Sequence, residues 1–411
     1  MLIRMRPVLI IGFLLFSTPA TCRADISCSH PVQLHSAAEA IQIRNQLLAI
    51  KVGWLTDDMP APSPERLEEF KIALMQTAET VFACNDTSSQ PAAMQRELAG
   101  LLHANRHVPP TRYSDADTEK PSRNVFGSDL RVRVSRASAM PLILSVQFTF
   151  GINCGTDSVL MLFQSDQGRW KDVLRWRVKS LQGIQDAFGD FFYPFILPGE
   201  SPGAWRLVAV HGEPWCSSNL SGFAIDVLAP TNNPDAPKLI AHRTENYFRY
   251  EPPKLSISSN TFTLHTDVGT GEMEEIVRKG VFRYQLTNDK LQGIQPIATN
   301  GRYFVNEWLE MPWDDAIRFS EPSALTALKP AHDLYAARDA DPKNFVSYNF
   351  GPVRSCQDNP KQFQVEQEEG TDGKQLPVYY LIRETGNGYQ LLSVEPQSDP
   401  HCGGPDLMKK K

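Results

Sequence analysis

Apolar residues recur at helical spacing in the first quarter of the chain. Leu67 and Phe70 belong to a series with steps of three and four residues, which is the period of an amphipathic helix. Upstream, Ser36 followed by Glu39 forms a capping box, a motif that often begins a helix. The pattern predicts three helices between residues 36 and 104.

From about residue 129 the apolar period falls to two, which is the period of a β-strand. Residues 142–150 alternate in this way, and 159–163 are apolar on both faces. A strand that is apolar on both faces is expected to be covered on both sides. Short helices are predicted at 302–310 and 313–319, and a longer one at 322–339. Further strands are predicted at 191–197, 204–211, 222–229, 255–265, 276–287, 291–297, 345–350, 362–367, 376–384 and 388–395.

Helices followed by strands predict an α+β fold, with a small N-terminal helical domain followed by antiparallel β-rich modules and a helical insertion. A stretch rich in Pro, Asp, Ser and Thr without any period marks a linker. The predicted divisions are a signal peptide at 1–24, a helical domain at 25–104, a linker at 105–125, a β-rich module at 126–240, a second β-rich segment ending in short helices at 241–320, and a C-terminal α+β module at 321–411.

The first residues have the pattern of a secretory signal. Arg4 and Arg6 precede an apolar stretch at 8–16, and small residues precede Asp25. The stretch is too short to cross a membrane, which takes about 20 apolar residues. The alternative is a lipoprotein acylated at Cys22, but the residues before it lack the usual aliphatic side chain. We therefore expect a secreted or periplasmic protein without a transmembrane segment.

Cleavage after residue 24 changes an odd cysteine count into an even one. The chain has 7 cysteines, and cleavage removes Cys22. An even number in an oxidising compartment favours disulfides, although six cysteines allow 15 connectivities. Nearest-neighbour pairing is favoured because it gives each predicted domain one bridge. The expected pairs are Cys28 with Cys84, Cys154 with Cys216, and Cys356 with Cys402.

Composition and charge exclude several classes of protein. The chain is 41% hydrophobic and 21% charged, which is unlike a wholly disordered chain, a collagen or a polytopic membrane protein. The formal net charge is −6, and loss of three arginines with the signal peptide takes it to −9. An acidic protein is not expected to bind nucleic acid.

The sequence contains neither a His-Glu-x-x-His motif nor a Walker loop. Residues 199–203 match Gly-x-Ser-x-Gly, but they lie between two predicted strands, whereas a nucleophile elbow joins a strand to a helix, so the match is not a specific catalytic motif. The candidate catalytic residues are His211, as acid or base, and Glu213, as its partner, in a loop after a predicted strand. Trp215 beside them offers a stacking surface for a sugar or aromatic ligand. The alternative is a turn held by a disulfide, with Trp215 packed on the bridge. Glu310 is a further carboxylate of the kind that glycosidases use in pairs.

Two residues are candidates for a metal site. His265 and Asp267 lie two positions apart on a predicted strand and so share a face. Acidic residues in the following loop could complete a nitrogen and oxygen ligand set. The alternative is a polar strand end that runs into a solvated loop, which is the interpretation we adopt, and we expect neither a metal nor a cofactor. The acidic residues are Glu272, Glu274 and Glu275.

Basic residues alternate with apolar ones along the segment 169–179, and strict alternation predicts that they share one strand face. Arg131 and Arg133 show the same alternation on an earlier strand. Such a face could bind an anionic glycan, a lipid headgroup or an acidic partner. The alternative is a solvated face, or an edge that positive charge protects from aggregation. The basic residues of the segment are Arg169, Lys171, Arg175, Arg177 and Lys179.

The sequence favours an exported, disulfide-stapled binding or interaction protein without catalytic activity. The absence of specific catalytic motifs supports this hypothesis, and an anionic glycan or an acidic partner is the expected ligand. The alternative is a secreted or periplasmic hydrolase that acts on a polysaccharide or cell-envelope polymer. A structural assembly component without a small ligand is a third hypothesis.

Overall fold

The computed structural model describes most of the chain after residue 29. The described residues are 30–52, 59–105, 125–199, 201, 203–216, 219–251, 253–258, 260–269, 277–296, 298–339, 347–371, 374–386 and 388–409. The predicted signal peptide, most of the predicted linker, Cys28 and the acidic loop after residue 269 lie outside these ranges.

Three helices form the N-terminal region and pack on the first sheet. Their apolar stripes face inward, and Phe82 stacks on Phe163 of the sheet with 3.9 Å between ring centroids. Phe70 meets Phe150 edge-on at 5.1 Å. Helices and sheet therefore share one hydrophobic core. The helices are α1 (His30–Leu48), α2 (Ser63–Cys84) and α3 (Pro91–Leu101).

The first sheet is a meander of four antiparallel strands in chain order. Its middle strands are buried on both faces, as the apolar run 159–163 predicted. Phe148 and Met161 face the helices, whereas Ile143 and Leu160 pack on the second sheet. The strands are β1 (Arg131–Ala139), β2 (Leu142–Ile152), β3 (Gly155–Asp166) and β4 (Arg169–Trp176).

The second sheet has eight strands in the order β12-β11-β10-β8-β7-β6-β5, with β9 paired to β10. Leu207 of β6 faces the first sheet, whereas its neighbour Val208 faces the sheet's own concave side. Phe195 of β5 lies 5.3 Å from Phe262 of β10, so the sheet curls until distant strands touch. The strands are β5 (Gly189–Pro198), β6 (Trp205–Gly212), β7 (Leu220–Ala229), β8 (Lys238–Phe248), β9 (Lys254–Ser258), β10 (Thr261–Gly269), β11 (Val277–Thr287) and β12 (Lys290–Pro296).

The C-terminal region packs helices on a third sheet, which is again a four-stranded antiparallel meander. Trp308 of the first of these helices shares a core with Val365 and Ile382 of the sheet. An N-terminal helical region followed by three antiparallel sheets, with further helices before the third, confirms the predicted α+β fold. The elements are α4 (Gly301–Glu310), α5 (Trp313–Ala316), α6 (Leu325–Asp339), β13 (Ser347–Cys356), β14 (Asn359–Thr371), β15 (Lys374–Thr385) and β16 (Gly388–Glu395).

Two of the expected disulfides are present. Cys154 pairs with Cys216, and Cys356 pairs with Cys402. Cys84 is also disulfide-bonded, while its predicted partner lies outside the described residues. The first bridge joins the turn between β2 and β3 to the loop after β6, so it ties the first sheet to the second. No helix in the described part of the chain has both the length and the apolar character that a membrane crossing requires.

Candidate functional site

The basic residues of β4 do not share one face, which corrects the prediction from strict alternation. A β-bulge shifts the register, so that Lys171 pairs with Gln164 while Arg175 pairs with Met161. Residues three apart on β3 point to opposite faces. Arg175 therefore lies on the helix side of the sheet and Lys171 on the other side. The sequence could not show this, because a bulge leaves no mark in the alternation.

Arg175 and Arg177 are held by internal ion pairs. Asp235 accepts from both guanidinium groups, at 2.8 Å from Arg175 and 2.9 Å from Arg177. Arg177 is also 2.9 Å from Glu68 of α2, and Arg175 contacts Glu79, about three turns further along the same helix. The two arginines thus join α2, the end of β4 and the loop between β7 and β8. Lys179 donates to the backbone carbonyl of that loop.

A groove of 390 Å³ lies between the first three strands of the first sheet and the start of β5. We call it the basic groove, because the exposed side chains of Arg131 and Arg133 line it. Val132 and Val134 of the same strand are buried under the helices. No hydrogen bond or ion pair joins the side chain of either arginine to another residue in the described part of the chain. The basic groove therefore carries two positive charges that no carboxylate of the described residues pairs with.

Side chains rather than another strand cover the outer edge of β1. The amide of Asn105 accepts from the backbone N–H of Val132 at 2.8 Å and donates to its carbonyl at 3.1 Å. Gln95 of α3 accepts from the N–H of Val134 at 3.0 Å. These contacts provide hydrogen-bond partners for backbone groups at the edge of β1, which could otherwise pair with a strand of another chain. They also hold β1, and with it the two arginines, in place.

The floor of the basic groove is a row of hydroxyl and amide groups. Gln147 donates to the hydroxyl of Thr149 at 3.3 Å, and that hydroxyl lies 3.0 Å from the Ser158 hydroxyl. In the β1–β2 register, Arg131 pairs with Thr149 and Arg133 with Gln147, so the arginines stand beside this row. Guanidinium groups next to hydroxyls suit a ligand that carries both charged oxygens and neutral polar groups.

One carboxylate, Asp190, lies at the end of the basic groove that β5 forms. Its Oδ2 is 3.5 Å from the guanidinium of Arg249 and 3.3 Å from the hydroxyl of Tyr247. Burial raises the pKa of Asp190, although Arg249 opposes this shift. Because the positive charge of Arg249 offsets the negative charge of Asp190, the net charge of the groove remains positive.

The structure places His211 against Asp226, a partner that the sequence did not suggest. His211 is buried and its Nε2 lies 3.1 Å from Asp226 Oδ2. His242 also approaches Asp226, at 2.7 Å, and the indole of Trp176 donates to it at 3.2 Å. Burial alone would raise the pKa of Asp226, but the two histidines lower it overall. The arrangement forms a polar contact between the two sheets.

The other candidates from the same loop lie nearer the surface. Glu213 is half-buried, and burial raises its pKa, while the nearby His211 opposes the shift. Trp215 is 37% exposed. Its carbonyl accepts a hydrogen bond from Arg249 at 2.7 Å, which fixes the loop.

The two candidate metal ligands are in different surroundings. His265 is exposed, whereas Asp267 is buried with its carboxylate 2.6 Å from the ammonium of Lys279. In the ranges that the structure describes, no group of three His, Cys, Asp or Glu residues is arranged to hold a metal.

A second cavity of 420 Å³ lies between the second sheet and α4–α5. We call it the charged cleft. Arg278 of β11 and Glu307 of α4, both buried, line it as an ion pair of 2.6 Å, and Glu310 lies 3.7 Å from the same guanidinium. Burial raises the pKa of Glu307 to about 7, although Arg278 opposes the shift. The sequence pointed to Glu310 only, because nothing in it shows that α4 packs against β11.

Comparison with known proteins gives no family for the chain. No protein-family model matches it, and no curated protein matches it. A solved structure of an α-L-arabinofuranosidase from Fusarium graminearum, in complex with an iminosugar inhibitor, is 12% identical over 69% of this chain and 68% of that chain. Its TM-score is 0.24, which is too low for the likeness to support any argument about fold or activity.

Proposed function

We propose that this chain is an exported binding protein that takes an anionic ligand in the basic groove. One observation supports the proposal: the side chains of Arg131 and Arg133 lie exposed side by side and form no ion pair with a carboxylate in the described part of the chain. Arginine is well suited to this role because its planar guanidinium can bind a carboxylate or sulfate through two parallel hydrogen bonds.

The charge of the rest of the molecule supports this proposal. The whole chain has a formal net charge of −6, so a positive groove stands out against an acidic surface. Such a groove draws anionic ligands toward itself and away from the rest of the surface. The hydroxyl and amide row on the floor would then hold the neutral polar groups of the ligand.

Isothermal titration with hexagalacturonate at low ionic strength tests the proposal. The double variant Arg131→Glu/Arg133→Glu is expected to bind at least about tenfold more weakly than the native chain, since both charge-assisted contacts are lost. The matched control is Arg169→Glu/Lys171→Glu, which changes the net charge equally at two exposed positions of β4. Equal weakening in both variants, or none in the first, would contradict the proposal.

As a second candidate we propose hydrolysis of a glycosidic bond in the charged cleft. The observation that favours it is the pairing of Glu307 and Glu310 on one arginine, Arg278. Protonated Glu307 would give its proton to the leaving oxygen as the C–O bond breaks. Water would add to the sugar carbon and pass a proton to the Glu310 carboxylate, and solvent would return that proton to Glu307.

This second candidate places the acid at Glu307 rather than at His211 or Glu213, because Glu307 lines a cavity. The test is release of reducing ends from neutral oligosaccharides. Glu307→Gln should lower the rate by at least about a hundredfold, while Arg169→Glu/Lys171→Glu should leave it unchanged. Absence of any hydrolysis by the native chain across arabinan, xylan and glucan fragments would count against this candidate.

A further inference from the structure

Asp190, at one end of the basic groove, is linked through Arg249 to a second group of exposed side chains. Arg249 connects the two, because one of its nitrogens lies 3.5 Å from Asp190 and another donates to the carbonyl of Trp215 at 2.7 Å. The backbone N–H of Arg249 also donates to the carbonyl of Asn219 at 2.8 Å. The loop that carries Trp215 is therefore fixed at the Asp190 end of the basic groove.

The disulfide between Cys154 and Cys216 holds the same loop from the other side. Cys154 lies two residues before Thr156, which lines the groove, and Cys216 directly follows Trp215. At Gly155, a Cβ atom would lie only 2.9 Å from a side-chain carbon of Pro214. The absence of a side chain at Gly155 thus lets the Trp215 loop pack directly against the start of β3.

Two aromatic side chains near Arg249 are exposed. Trp215 is 37% exposed and Tyr250, which is next to Arg249 in sequence, is 58% exposed. They are the exposed aromatic residues of the described part of the chain. The ring of Tyr250 lies parallel to that of Phe248, with 5.9 Å between the ring centroids. Solvent-facing aromatic rings beside a polar groove are typical of a binding surface.

We infer that the ligand is a glycan chain, with an acidic sugar in the basic groove and the following sugar rings stacked on Trp215 and Tyr250. The inference rests on the proposed anion-binding function. A sugar ring has a face of C–H groups that packs on an aromatic ring, and its hydroxyls match the Gln147, Thr149 and Ser158 row. An acidic peptide of the same charge would use the arginines but would not present ring faces to the aromatic pair.

The experiment compares a short and a long form of the same anionic glycan by isothermal titration. The probes are digalacturonate, which we expect to fill the basic groove alone, and hexagalacturonate, which we expect to extend to the aromatic pair as well. Trp215→Ala and Tyr250→Ala should each weaken binding of hexagalacturonate roughly three- to tenfold and leave binding of digalacturonate unchanged. Leu376→Ala, which truncates an exposed apolar residue of β15, is the control and should change neither.

The possible outcomes separate this inference from the proposed function. Suppose that both aromatic variants bind hexagalacturonate like the native chain while Arg131→Glu/Arg133→Glu does not. Stacking of sugar rings on Trp215 and Tyr250 is then wrong, whereas anion binding in the basic groove is still supported. If the aromatic variants weaken binding of both probes equally, the separate aromatic subsite is also wrong. If native protein binds neither probe, the proposed function fails and the inference fails with it. Equally tight binding of hexaglutamate, with the same dependence on Trp215, would overturn the choice of a glycan.

Discussion

Two arginine pairs in the first sheet have the same sequence pattern and opposite surroundings. In both, one apolar residue separates two arginines: Arg131 and Arg133 on the first strand, Arg175 and Arg177 at the end of the last. The first pair faces solvent in the basic groove. The second pair lies among carboxylates of α2 and of the loop between β7 and β8. Alternation therefore locates a basic pair without showing whether it serves a ligand or the fold.

The difference arises from what packs beside each strand. β1 is an edge strand whose outer side is covered by the neutral amides of Asn105 and Gln95. Within the described ranges its two arginines form no ion pair. Next to β4, α2 and the β7–β8 loop bring carboxylates into contact. Burial of an arginine costs desolvation energy, which such ion pairs offset. The second pair is thus expected to affect stability and the first pair to affect binding.

The largest expected effect comes from breaking the internal pair. Arg177 is 9% exposed, and Arg177→Ala would leave Glu68 without its charge partner. We expect a loss of about 3 kcal/mol in the free energy of unfolding, measured by urea denaturation. Arg133→Ala is the matched control and should change this free energy by less than about 0.5 kcal/mol. Similar losses in the two variants would remove the distinction between the pairs.

A third arginine, Arg278, extends the comparison to pH. Its partner Glu307 has a pKa raised from 4.5 to about 7 by burial, so between these pH values the folded chain binds more protons than the unfolded chain. Stability contributed by this group is therefore present below about pH 4.5 and is lost as the pH rises through 7. The loss should amount to about 3 kcal/mol.

Unfolding measurements on native protein and Glu307→Gln from pH 4 to pH 8 check this sign. Other titrating groups affect both proteins, so the relevant quantity is the stability of the native chain minus that of the variant. We expect this difference to fall by about 3 kcal/mol as the pH rises. A constant or rising difference would show that folding does not raise the pKa of Glu307.

A smaller effect is expected at the edge of β1. Asn105→Ala removes both side-chain hydrogen bonds to the backbone of Val132 and should cost about 1 to 2 kcal/mol in the free energy of unfolding. Gln95→Ala removes one bond and should cost about half as much. Because the same contacts position the arginines, hexagalacturonate should also bind more weakly to the first variant. If Asn105→Ala is less stable but binds hexagalacturonate with unchanged affinity, these hydrogen bonds cover the edge of β1 without contributing to ligand binding.

Much of the fold could be predicted from apolar periodicity. The α+β order, the doubly covered β3 and the region of the helical insertion all follow from the pattern. The strand β8 was missed, because its sequence KLIAHRTENYF shows no sustained alternation and only its hydrogen bonds with neighbouring strands make it a strand. The first helix begins at His30 rather than at Ser36. The Ser36 hydroxyl donates to the carbonyl of Gln33 inside that helix, so the capping box was misread.

The sites were less predictable, because they depend on contacts between distant segments. Arg131 and Arg133 were noticed as a pattern, but their open surroundings depend on how α3 and β5 approach the first sheet. The pairing of Arg278 with Glu307 joins residues 29 positions apart on a strand and a helix. Similarly, the partner of His211 lies on the next strand, and no local motif links it to Asp226. Only the assembled structure provides these partners.

Chemical modification of arginine tests the central distinction most directly. Native protein would be treated with phenylglyoxal, with and without hexagalacturonate, and the modified positions mapped by peptide mass spectrometry. Arg131 and Arg133 are expected to react readily and to be protected by the glycan, whereas Arg175 and Arg177 should remain unmodified in both conditions. Rapid reaction of Arg175 and Arg177, or no protection of Arg131 and Arg133, would contradict the assignment of one pair to the ligand and the other to the fold.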